Sequence, residues 1–534
     1  MDHPVPERTA PPQASDWQPE LDELAERQRI ARQMGGPDRI ARQHAAGRLT
    51  VRERIDRLLD PDSFQEIGSI AGKATYDSSQ RTITDFLPAN GVCGRGRIEG
   101  RPVVVYGDDF TVRGGSADAS IKNKYFLPEK LAGEYRMPLI RMIEGSGGGG
   151  SVKTIETRGH ANLPGVIGQS SGLWLCAQNM GRIPVVSMGL GSVAGLGAAR
   201  LAASHYSLMV RDTSAVFVAG PPVVERLGEK RSKAELGGHA VQVPAGTVDD
   251  AVATEQEAFE RARRFLSYLP SSVWDLPPRV TPWDDPERRD EHLISIVPKD
   301  RRKAYSMRKI IDSVVDRGSF FEMSKGFGRA IITGFARLDG WPVAILAGDP
   351  LYNGGAWGAA ASRKITRFVD LAQTFHLPVV HLVDCFGFAV GLQAESTATM
   401  RHAVTAVSAI HQSTVPWAAV IIRNVFGVGG GAHVPHTQTP LRWSWPSGNW
   451  GSLPLEGGIE AAYRAELDAA ADPAEKLAEI ETRLEQLRSP FRSAEAFLID
   501  EIIDPRDTRP LLCEFANLVA PLRTPGPSMF TMRP

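Results

Sequence analysis

The sequence is poor in cysteine and in net charge, and it holds no long apolar run. Its four cysteines lie far apart without CxxC spacing, which favours free thiols in a reducing compartment over disulfides or a zinc site. A formal net charge of −1, with no dense run of Lys and Arg, gives no global attraction to nucleic acid or anionic lipid. The N-terminus lacks the apolar core of a signal peptide, and no run of about 18 apolar residues is present to cross a membrane. We therefore expect a cytoplasmic protein.

The rest of the composition is typical of a globular protein. With 534 residues, of which 42% are hydrophobic and 23% charged, the chain is long enough for two domains that each bury a core. Short apolar runs such as PVVVYG and IPVVSMGL alternate with longer amphipathic stretches. This pattern is typical of βα units around a largely buried sheet, so an α/β fold is predicted.

Two segments of the chain occur twice. RERIDRLLDPDSFQE at 52–66 returns as RKIIDSVVDRGSFFE at 308–322, and GRGRIEGRPVVV at 94–105 returns as GFARLDGWPVAI at 334–345. Two further pairs match: Gly107-Asp108 with Gly348-Asp349, and Gly114-Gly115 with Gly354-Gly355. The spacing of about 240 to 256 residues is far longer than a solenoid repeat of roughly 20 to 50, so it indicates a duplicated domain.

Composition also suggests where the two copies begin and end. Residues 1–18 are polar and Pro-rich and are predicted to form a flexible tail, and residues 19–269 form the first domain. Five prolines in a polar context predict an extended linker at 270–296. The second domain then covers 297–534 and ends in a long Ala- and Glu-rich helical stretch.

Three Gly-rich turns follow apolar strands and are candidates for chemistry. They are EGSGGGGS at Glu144–Ser151, GLGSVAGLGAARLA at Gly189–Ala202 and FGVGGGAH at Phe426–His433. A glycine turn that leads into a helix presents several backbone N–H groups without an obstructing side chain, and it can hold phosphate or a developing oxyanion. Glycines after strands also serve packing and tight turns, so the sequence leaves both interpretations open.

Other motifs have weaker support. GQSSG at Gly168–Gly172 matches the G-x-S-x-G nucleophile elbow, but no clear strand precedes it. His433 and His436 could bind a metal, yet a third ligand is missing, so no metal is predicted. There is no GxxxxGK[ST] loop, and GRGRIEG is not followed by a helix, so neither ATP nor a dinucleotide is indicated.

Taken together, the motifs resemble those of one enzyme family. The tandem duplication, RERIDRLLDPDSF, GDDFTVRGGS, MVRDTSAVFVAGPPVV, AELGG, FGVGGGAH and IIDPRDTRPLL resemble the carboxyltransferase (beta) subunits of biotin-dependent acyl-CoA carboxylases. The loop with PLRWSWP and LEGG looks more like the methylcrotonyl- and geranyl-CoA branch than the propionyl-CoA branch. The resemblance implies two crotonase-like (ClpP/crotonase) ββα-spiral domains and a hexamer, a trimer of dimers, with active sites between protomers.

The resemblance also implies a division of labour between the two domains. The biotin anion removes the acyl-CoA α-proton, and the protein stabilises the thioester enolate and the biotin ureido oxygen through backbone donors. By position, the catalytic candidates are the amides of Gly195 and Leu196 for the thioester and those of Val428 and Gly429 for biotin. The glycine motifs add four candidates for substrate binding: Gly114, Gly115, Gly147 and Gly148.

Several motifs depart from the family pattern, and they leave the function open. GSVAGLG stands where GPxAGG is usual, SGGGGSV replaces SGGARIQ, and AESTATMRHAV replaces AEAGGIAKDGAK. The chain has no MKM biotinylation site, so a biotin carboxylase and carrier (alpha) subunit is expected as a partner. Transfer to the α- or vinylogous γ-carbon of an acyl-CoA is the predicted reaction. The alternatives are a biotin-independent acyl-CoA decarboxylase of the same fold and a catalytically silent assembly subunit.

Overall fold

The computed structural model describes residues 17–79, 83–116, 121–145, 147, 155–156, 159–161, 172–453 and 455–534. The described strands are β1 Gln65–Glu66, β2 Gly72–Tyr76, β3 Ile83–Pro88, β4 Gly91–Ile98, β5 Arg101–Asp108, β6 Leu139–Gly145, β7 Val185–Ala194, β8 Tyr206–Val210, β9 Ala215–Phe217, β10 Asp250–Val252, β11 Phe321–Met323, β12 Ile331–Leu338, β13 Trp341–Gly348, β14 Val379–Cys385, β15 Trp417–Phe426, β16 Leu441–Ser444, β17 Asn449–Gly451 and β18 Glu501–Ile502.

Helices flank these strands in both halves of the chain. The described α-helices are Gln18–Arg32, Pro37–Ala45, Val51–Leu58, Lys122–Glu134, Gly172–Asn179, Leu196–Ala202, Pro221–Glu225, Lys233–Gly237, His239–Gln242, Glu255–Ser267, Leu293–Ile296, Met307–Val314, Ala359–Thr374, Leu392–Ser396, Thr399–His411, Gly427–Gly431, Leu455–Ala462, Arg464–Ala469, Pro473–Leu487, Pro490–Glu495 and Thr508–Val519. Among them, none combines the length and the apolar composition needed to span a bilayer.

Two sheets of the described chain share one topology. The first runs β1-β4-β5-β6-β7-β8-β10 with β9 beside β7, and the second runs β11-β12-β13-β14-β15-β16-β18 with β17 beside β15. In each sheet the first three strands pair antiparallel and the remaining strands pair parallel. The separate β2-β3 hairpin belongs to the first half. The duplication predicted from the sequence is therefore confirmed strand by strand.

The central strands consist of continuous apolar runs because both of their faces are covered. Val103, Val104 and Val105 of β5 are each 0% exposed, and every residue of β6 is buried. A strand with one solvated face would alternate apolar and polar residues, whereas β-branched runs suit a sheet buried on both sides. The apolar runs noted in the sequence are thus the central strands of the two sheets.

The strand register of the structure differs from the sequence alignment of the two copies at one pair of residues. Asp109 N–H donates to Asn90 O at 2.9 Å, and Asp349 N–H donates to Ala330 O at 2.8 Å, in equivalent hairpins. Asp349 therefore corresponds to Asp109 rather than to Asp108. The alignment of the two Gly-Asp pairs predicted from the sequence is wrong by one residue. The spacing is 240 residues on both sides of this point, and the first copy has Asp at two successive positions, so that matching by identity chose the wrong Asp.

An aspartate of the repeated segment holds the turn of a hairpin in each half. Asp60 accepts hydrogen bonds from the amides of Glu99 and Gly100 at 2.9 and 2.8 Å, in the turn between β4 and β5. Asp316 does the same in the turn between β12 and β13, at 3.1 and 2.8 Å. Both residues of each turn have positive φ, the conformation of a two-residue type I′ hairpin. This role explains why the aspartate occurs in both copies.

A second repeated contact joins the helix and the strand of the duplicated segment. Arg52 pairs with Glu66 at 2.9 Å, and Arg308 pairs with Glu322 at 2.6 Å. In each half the arginine lies on the helix that opens the copy, and the glutamate lies on the first strand of the sheet. The repeated segments 52–66 and 308–322 therefore form the same helix and strand, which lead into the same hairpin, in each half.

The two halves pack through aromatic side chains and a buried ion pair. The Tyr206 ring lies 5.4 Å from the Phe321 ring, and the Phe265 ring lies 5.7 Å from the Phe335 ring, measured between centroids. Nearby, Arg367 of the second half pairs with Asp249 of the first. Burial opposes ionisation of Asp249, but the Arg367 guanidinium and hydrogen bonds to the carboxylate lower its pKa. The halves thus share one core.

The proline-rich segment between the halves lies against both of them. Val273 N–H donates to Arg182 O at 2.9 Å, and Val280 N–H donates to Gly340 O at 3.1 Å. The short helix Leu293–Ile296 lies within the predicted linker. Residues 1–16 of the predicted tail lie outside the described residues, and a helix begins at Gln18. The domain boundaries at 18, 269 and 296 stay a proposal.

The duplicated turn gives a stability prediction with an internal control. Asp316 is 0% exposed and also accepts from Arg509 Nη2 at 2.9 Å, whereas Asp60 is partly exposed. Asp316→Ala should lower the free energy of unfolding by about 3 kcal/mol, because it removes the nearer of the two carboxylates paired with the buried Arg509 guanidinium and leaves Asp284 at 3.6 Å. Asp60→Ala should cost about 1 to 2 kcal/mol, since it loses hydrogen bonds near water. Urea denaturation of both variants measures the difference, and equal losses would contradict it.

Candidate active site

The first glycine turn joins the long strand β7 to the helix Leu196–Ala202. Gly195 lies between them with φ 59° and ψ −122°, a backbone conformation that side chains with a Cβ rarely adopt. The Leu196 side chain, which stands where a second glycine is usual, is 39% exposed on the surface. A leucine is therefore accommodated here without burial, and the Leu196 backbone N–H is retained.

The amides of this turn differ in how they are engaged. Gly195 N–H donates to Phe217 O at 3.3 Å, which extends the pairing of β7 with β9. Leu196 and Gly197 are the first two residues of the helix, and such amides have no partner inside their own helix. The Gly195 N–H is thus engaged with the sheet, whereas the helix itself offers the Leu196 N–H no partner.

The second glycine turn repeats this geometry in the other half. β15 ends at Phe426, Gly427 has φ 58°, and a short helix covers Gly427–Gly431. The Val428 side chain is 65% exposed, and a Cβ on Gly429 would lie 3.0 Å from the Phe388 ring. Val428 is therefore exposed to solvent, whereas Gly429 is buried against the Phe388 ring.

The predicted donor pairs do not occupy equivalent positions in the two turns. The glycine with positive φ is Gly195 in the first turn and Gly427 in the second, each directly after the long strand. Leu196 corresponds to Val428, so the predicted pairs Gly195–Leu196 and Val428–Gly429 are offset by one residue. Sequence alone did not reveal this offset, because the glycine runs of the two turns differ in length.

A buried acid lies next to each turn, on the strand that pairs with the strand leading into the turn. Glu144, on β6, is 0% exposed and accepts from Arg54 Nη1 at 2.6 Å and from Gln43 Nε2 at 2.8 Å. Asp384, on β14, is 0% exposed and accepts from Tyr305 Oη and Asn424 Nδ2, each at 2.7 Å. Buried carboxylates that accept several hydrogen bonds form rigid networks. These acids therefore hold the ends of β6 and β14 next to β7 and β15, the strands that lead into the turns.

Three of the glycines predicted to bind substrate, Gly114, Gly115 and Gly147, lie among closely packed backbone segments in the first half. Gly114 and Gly115 form a short 3₁₀ turn, where a Cβ on Gly115 would lie 2.4 Å from Glu144 O. A Cβ on Gly147 would lie 2.9 Å from Ala194 O, directly before the Gly195 turn. At Gly115 and at Gly147 the backbone therefore lies so close to a neighbouring backbone segment that a side chain would not fit. Gly148 lies outside the described residues.

A cavity of about 1330 Å³ opens beside the second turn. Aromatic side chains line much of it: Tyr352, Phe386, Phe388 and Phe426. Of these four residues, Phe426 belongs to a motif noted in the sequence, the turn Phe426–His433, and the other three do not. The available signal was the FGF triplet directly after the apolar run of β14, because side chains at the carboxyl ends of parallel strands face a common crevice. The cavity is large enough for a small bicyclic ligand and its linker.

The histidines considered as metal ligands have other roles. His433 Nδ1 lies 2.7 Å from Gly430 O, and burial lowers the pKa of His433 to about 4. The imidazole is therefore neutral and donates from Nδ1 to the glycine turn. His436 instead stacks on His411, with ring centroids 5.0 Å apart. Within the described ranges no group of three His, Cys, Asp or Glu is placed to hold a metal ion.

The remaining motif from the sequence cannot be placed as a whole. Gly168, Gln169 and both serines of GQSSG lie outside the described residues, and Gly172 is the first residue of a helix. The four cysteines are buried as free thiols, and burial raises the pKa of Cys93 to about 11 and of Cys385 to about 12. Thiols with raised pKa values are poor nucleophiles near neutral pH.

Comparison with known proteins identifies the family. A family model described as the carboxyl transferase domain matches residues 42–523. The carboxyltransferase subunit of propionyl-CoA carboxylase from Haloferax mediterranei is 34% identical over 92% of this chain and 94% of its own length. The alpha subunit of methylmalonyl-CoA decarboxylase from Veillonella parvula is 30% identical over 92% of this chain and 93% of its own.

A solved structure shares the fold over nearly the whole chain. The transcarboxylase 12S crystal structure, a hexamer with methylmalonyl-CoA and methylmalonic acid bound, superposes with a TM-score of 0.84. It is 30% identical and covers 96% of this chain and 98% of its own. The predicted tandem crotonase-like fold is thereby confirmed. The chain belongs to the carboxyl transferase family, which includes the carboxyltransferase subunits of biotin-dependent acyl-CoA carboxylases.

Proposed function

We propose that this chain transfers a carboxyl group from carboxybiotin, carried on a partner protein, to an acyl-CoA. The observation that carries the proposal is the pair of equivalent turns, one in each half, in which a glycine of positive φ is followed by backbone amides at the start of a helix. Carboxyl transfer of this kind places negative charge on two oxygens, the thioester oxygen and the ureido oxygen. Two halves with one oxyanion-binding turn each match that requirement.

The first turn is assigned to the thioester. The Leu196 N–H is the main donor to the enolate oxygen, and Gly195 supplies the left-handed conformation and a second, weaker donor. Preorganised amides lower the barrier to enolate formation because they cost no reorganisation when the charge develops, and one such donor contributes on the order of 3 kcal/mol. The first half then binds acyl-CoA near Gly114, Gly115 and Gly147, and Gly148 stays a further contact predicted from the sequence.

The second turn is assigned to biotin. The amides of Val428 and Gly429 would donate to the ureido oxygen, and the aromatic cavity beside them would hold the apolar ring system. When bound, carboxybiotin supplies CO₂ and a base for the α-proton. The chain's residues orient it: the His433 side chain fixes the glycine turn through Gly430 O, and Phe388 packs against Gly429.

Assembly and partners are part of the proposal. The 12S transcarboxylase relative is a hexamer and forms the core of a multienzyme complex. By analogy this chain forms a hexamer in which the first half of one protomer faces the second half of another. Biotin and its ATP-dependent carboxylation come from a biotin carboxylase and carrier subunit. Carboxylation at the α-carbon suits propionyl-CoA, and carboxylation at the vinylogous γ-carbon suits 3-methylcrotonyl-CoA.

A decarboxylase is the second candidate function. Its support is the Veillonella parvula relative, a methylmalonyl-CoA decarboxylase subunit, together with the altered glycine motifs of this chain. Loss of CO₂ from a malonyl-type thioester also yields an enolate, so the same Leu196 amide would serve it. A catalytically silent assembly subunit would show neither reaction.

The activity test separates these candidates. The purified chain, its copurifying partners, ATP, bicarbonate and an acyl-CoA panel should give a carboxylated thioester, and avidin should abolish the product because it sequesters biotin. Avidin-insensitive release of CO₂ from methylmalonyl-CoA would favour the decarboxylase. A folded oligomer with no turnover in either assay would contradict both enzymatic functions.

The amide assignment predicts a difference between two substitutions at one position. Leu196 is the first residue of its helix, where proline is tolerated, so Leu196→Pro removes one N–H donor and keeps the helix. We expect kcat to fall about 100- to 1000-fold, the usual effect of losing one oxyanion donor. Steady-state kinetics with saturating acyl-CoA measures the change.

The matched control is Leu196→Ala, which keeps the N–H and removes the side chain. Because the Leu196 side chain is 39% exposed, this variant should retain kcat within a few fold and unfold at the same temperature as the wild type. Equal loss of kcat in the alanine and proline variants would show that the side chain, and not the amide, is required.

A further inference from the structure

A buried arginine holds the carboxyl end of the helix that follows the first glycine turn. Arg141, on β6, is 0% exposed, and its Nη1 donates to Arg200 O at 2.9 Å and to Ala203 O at 2.7 Å. These carbonyls lie at the end of the helix Leu196–Ala202, where a helix offers its own carbonyls no partner. Arg141 therefore caps this helix at the end opposite to the Leu196 N–H.

A buried carboxylate fixes the guanidinium of Arg141. The Nε and Nη2 of Arg141 donate to the two carboxylate oxygens of Glu129 at 2.7 and 2.8 Å, and Asn179 Nδ2 donates to the same carboxylate at 3.1 Å. Burial opposes ionisation of Glu129, but the charges of Arg141 and Arg200 lower its pKa to about 2. A bidentate pair of this kind sets the orientation of the guanidinium plane, so Nη1 stays directed at the helix carbonyls.

Arg200 holds the same helix from its side. Its Nη2 donates to Glu129 Oε1 at 3.3 Å, and its guanidinium lies 4.7 Å from the ring centroid of Tyr106 and 4.4 Å from that of Tyr125. The Arg200 side chain is 1% exposed. A helix of seven residues is not stable by itself, so contacts with its surroundings determine where it lies and where its first amide points.

The second half has a helix cap from the same strand position. His381 pairs with β13 as Arg141 pairs with β5, and His381 Nδ1 lies 2.9 Å from His433 O, just beyond the helix Gly427–Gly431. Burial lowers the pKa of His381 to about 3, so the neutral imidazole donates from Nδ1. A side-chain donor from the strand thus reaches the end of the short helix in both halves.

The duplicated fold does not require the buried charges of the first half. In the alignment of the two halves, Val369 stands at the position of Glu129 and Ala432 at the position of Arg200, and both are buried. Burying ion pairs costs desolvation that their attraction only partly repays, so stability alone does not explain the cluster. The feature that both halves share is the helix cap, and in the first half charged partners fix it more firmly.

We propose that Arg141 is a positioning residue for carboxyl transfer, and the proposal rests on the carboxyltransferase function above. Gly195 N–H bonds to Phe217 O at the start of the helix, and Arg141 holds its end. The Leu196 N–H is thereby kept in place for the thioester oxygen. An oxyanion donor must be in place before charge develops, so loss of the cap weakens stabilisation of the transition state and leaves acyl-CoA binding unchanged.

The test replaces Arg141 with methionine, which keeps an unbranched side chain and removes every donor. Arg200 and Asn179 still contact Glu129, so the buried carboxylate keeps partners in this variant. For Arg141→Met, kcat at saturating acyl-CoA should fall on the order of 10-fold, because the Leu196 donor is displaced but not removed. KM for acyl-CoA should not change, whereas a general loss of folded protein would lower the amount of active enzyme and leave kcat per folded chain unchanged.

Hydrogen exchange followed by mass spectrometry gives a second readout that does not need turnover. In Arg141→Met, the amides of residues 196–203 should exchange on the order of 10 times faster, and those of the helix Gly427–Gly431 should not change, because that helix has its own cap. Arg141→Lys keeps the charge but has one nitrogen in place of three, so kcat and exchange should both be intermediate. This variant keeps the proposal testable if the methionine variant does not fold.

Asp316→Ala is the control for lost stability, because it weakens the pairing of another buried arginine, Arg509, in the second half. Its folded fraction should have the kcat of the wild type and the same exchange at residues 196–203. Unchanged kcat in folded Arg141→Met, or an equal decrease in Asp316→Ala, would overturn the proposal. Faster exchange in Arg141→Met together with a wild type that gives no carboxylation would refute the proposed function and leave the helix cap standing.

Discussion

The geometry of both turns depends on one backbone constraint, a glycine in the left-handed region at the end of a central strand. At Gly195 and Gly427 the chain leaves a buried strand of ten residues and enters a helix without an intervening loop. The amides that follow are at the start of a helix, where the preceding chain offers them no carbonyl partner. A residue with a Cβ would strain this turn, so the chemistry proposed here depends on backbone rather than on a catalytic side chain.

Rigid neighbours make such a turn useful, because an oxyanion donor must be in place before charge develops. Glu144 and Asp384 perform this task in the two halves, and an arginine donates to each of them: Arg54 to Glu144 and Arg423 to Asp384. The other donors differ, with a glutamine at Glu144 and a tyrosine and an asparagine at Asp384. Arg54 also forms a bidentate pair with Glu255 at 2.9 and 2.7 Å, which ties the strand end to a distant helix. Each half has therefore kept the buried acid and an arginine partner, and has changed the remaining donors.

The duplicated fold could be predicted from the sequence, whereas contacts between segments that are distant in the chain could not. The duplication was predictable because Asp60 and Asp316 each cap a hairpin and because the Arg–Glu pair recurs in both copies. The equivalence of Gly195 and Gly427 was not visible in the sequence, because the glycine runs of the two turns differ in length. The hydrogen bond from Gly195 N–H to Phe217 O was not predictable either, because it depends on a separate strand. The cavity beside the second turn unites residues that no local pattern connects.

The two turns agree in geometry and differ in their surroundings. The two large sheets, the hairpins β4-β5 and β12-β13 and the left-handed glycines agree, so the shared fold restrains them equally. The first turn bonds to β9 through Gly195 N–H, whereas the second adjoins a cavity lined in part by aromatic side chains, with the neutral His433 against Gly430. In the proposed function, the thioester and the biotin carrier group require different surroundings for the same kind of oxyanion. Duplication supplied two equivalent turns, and side chains outside the turns made their surroundings different.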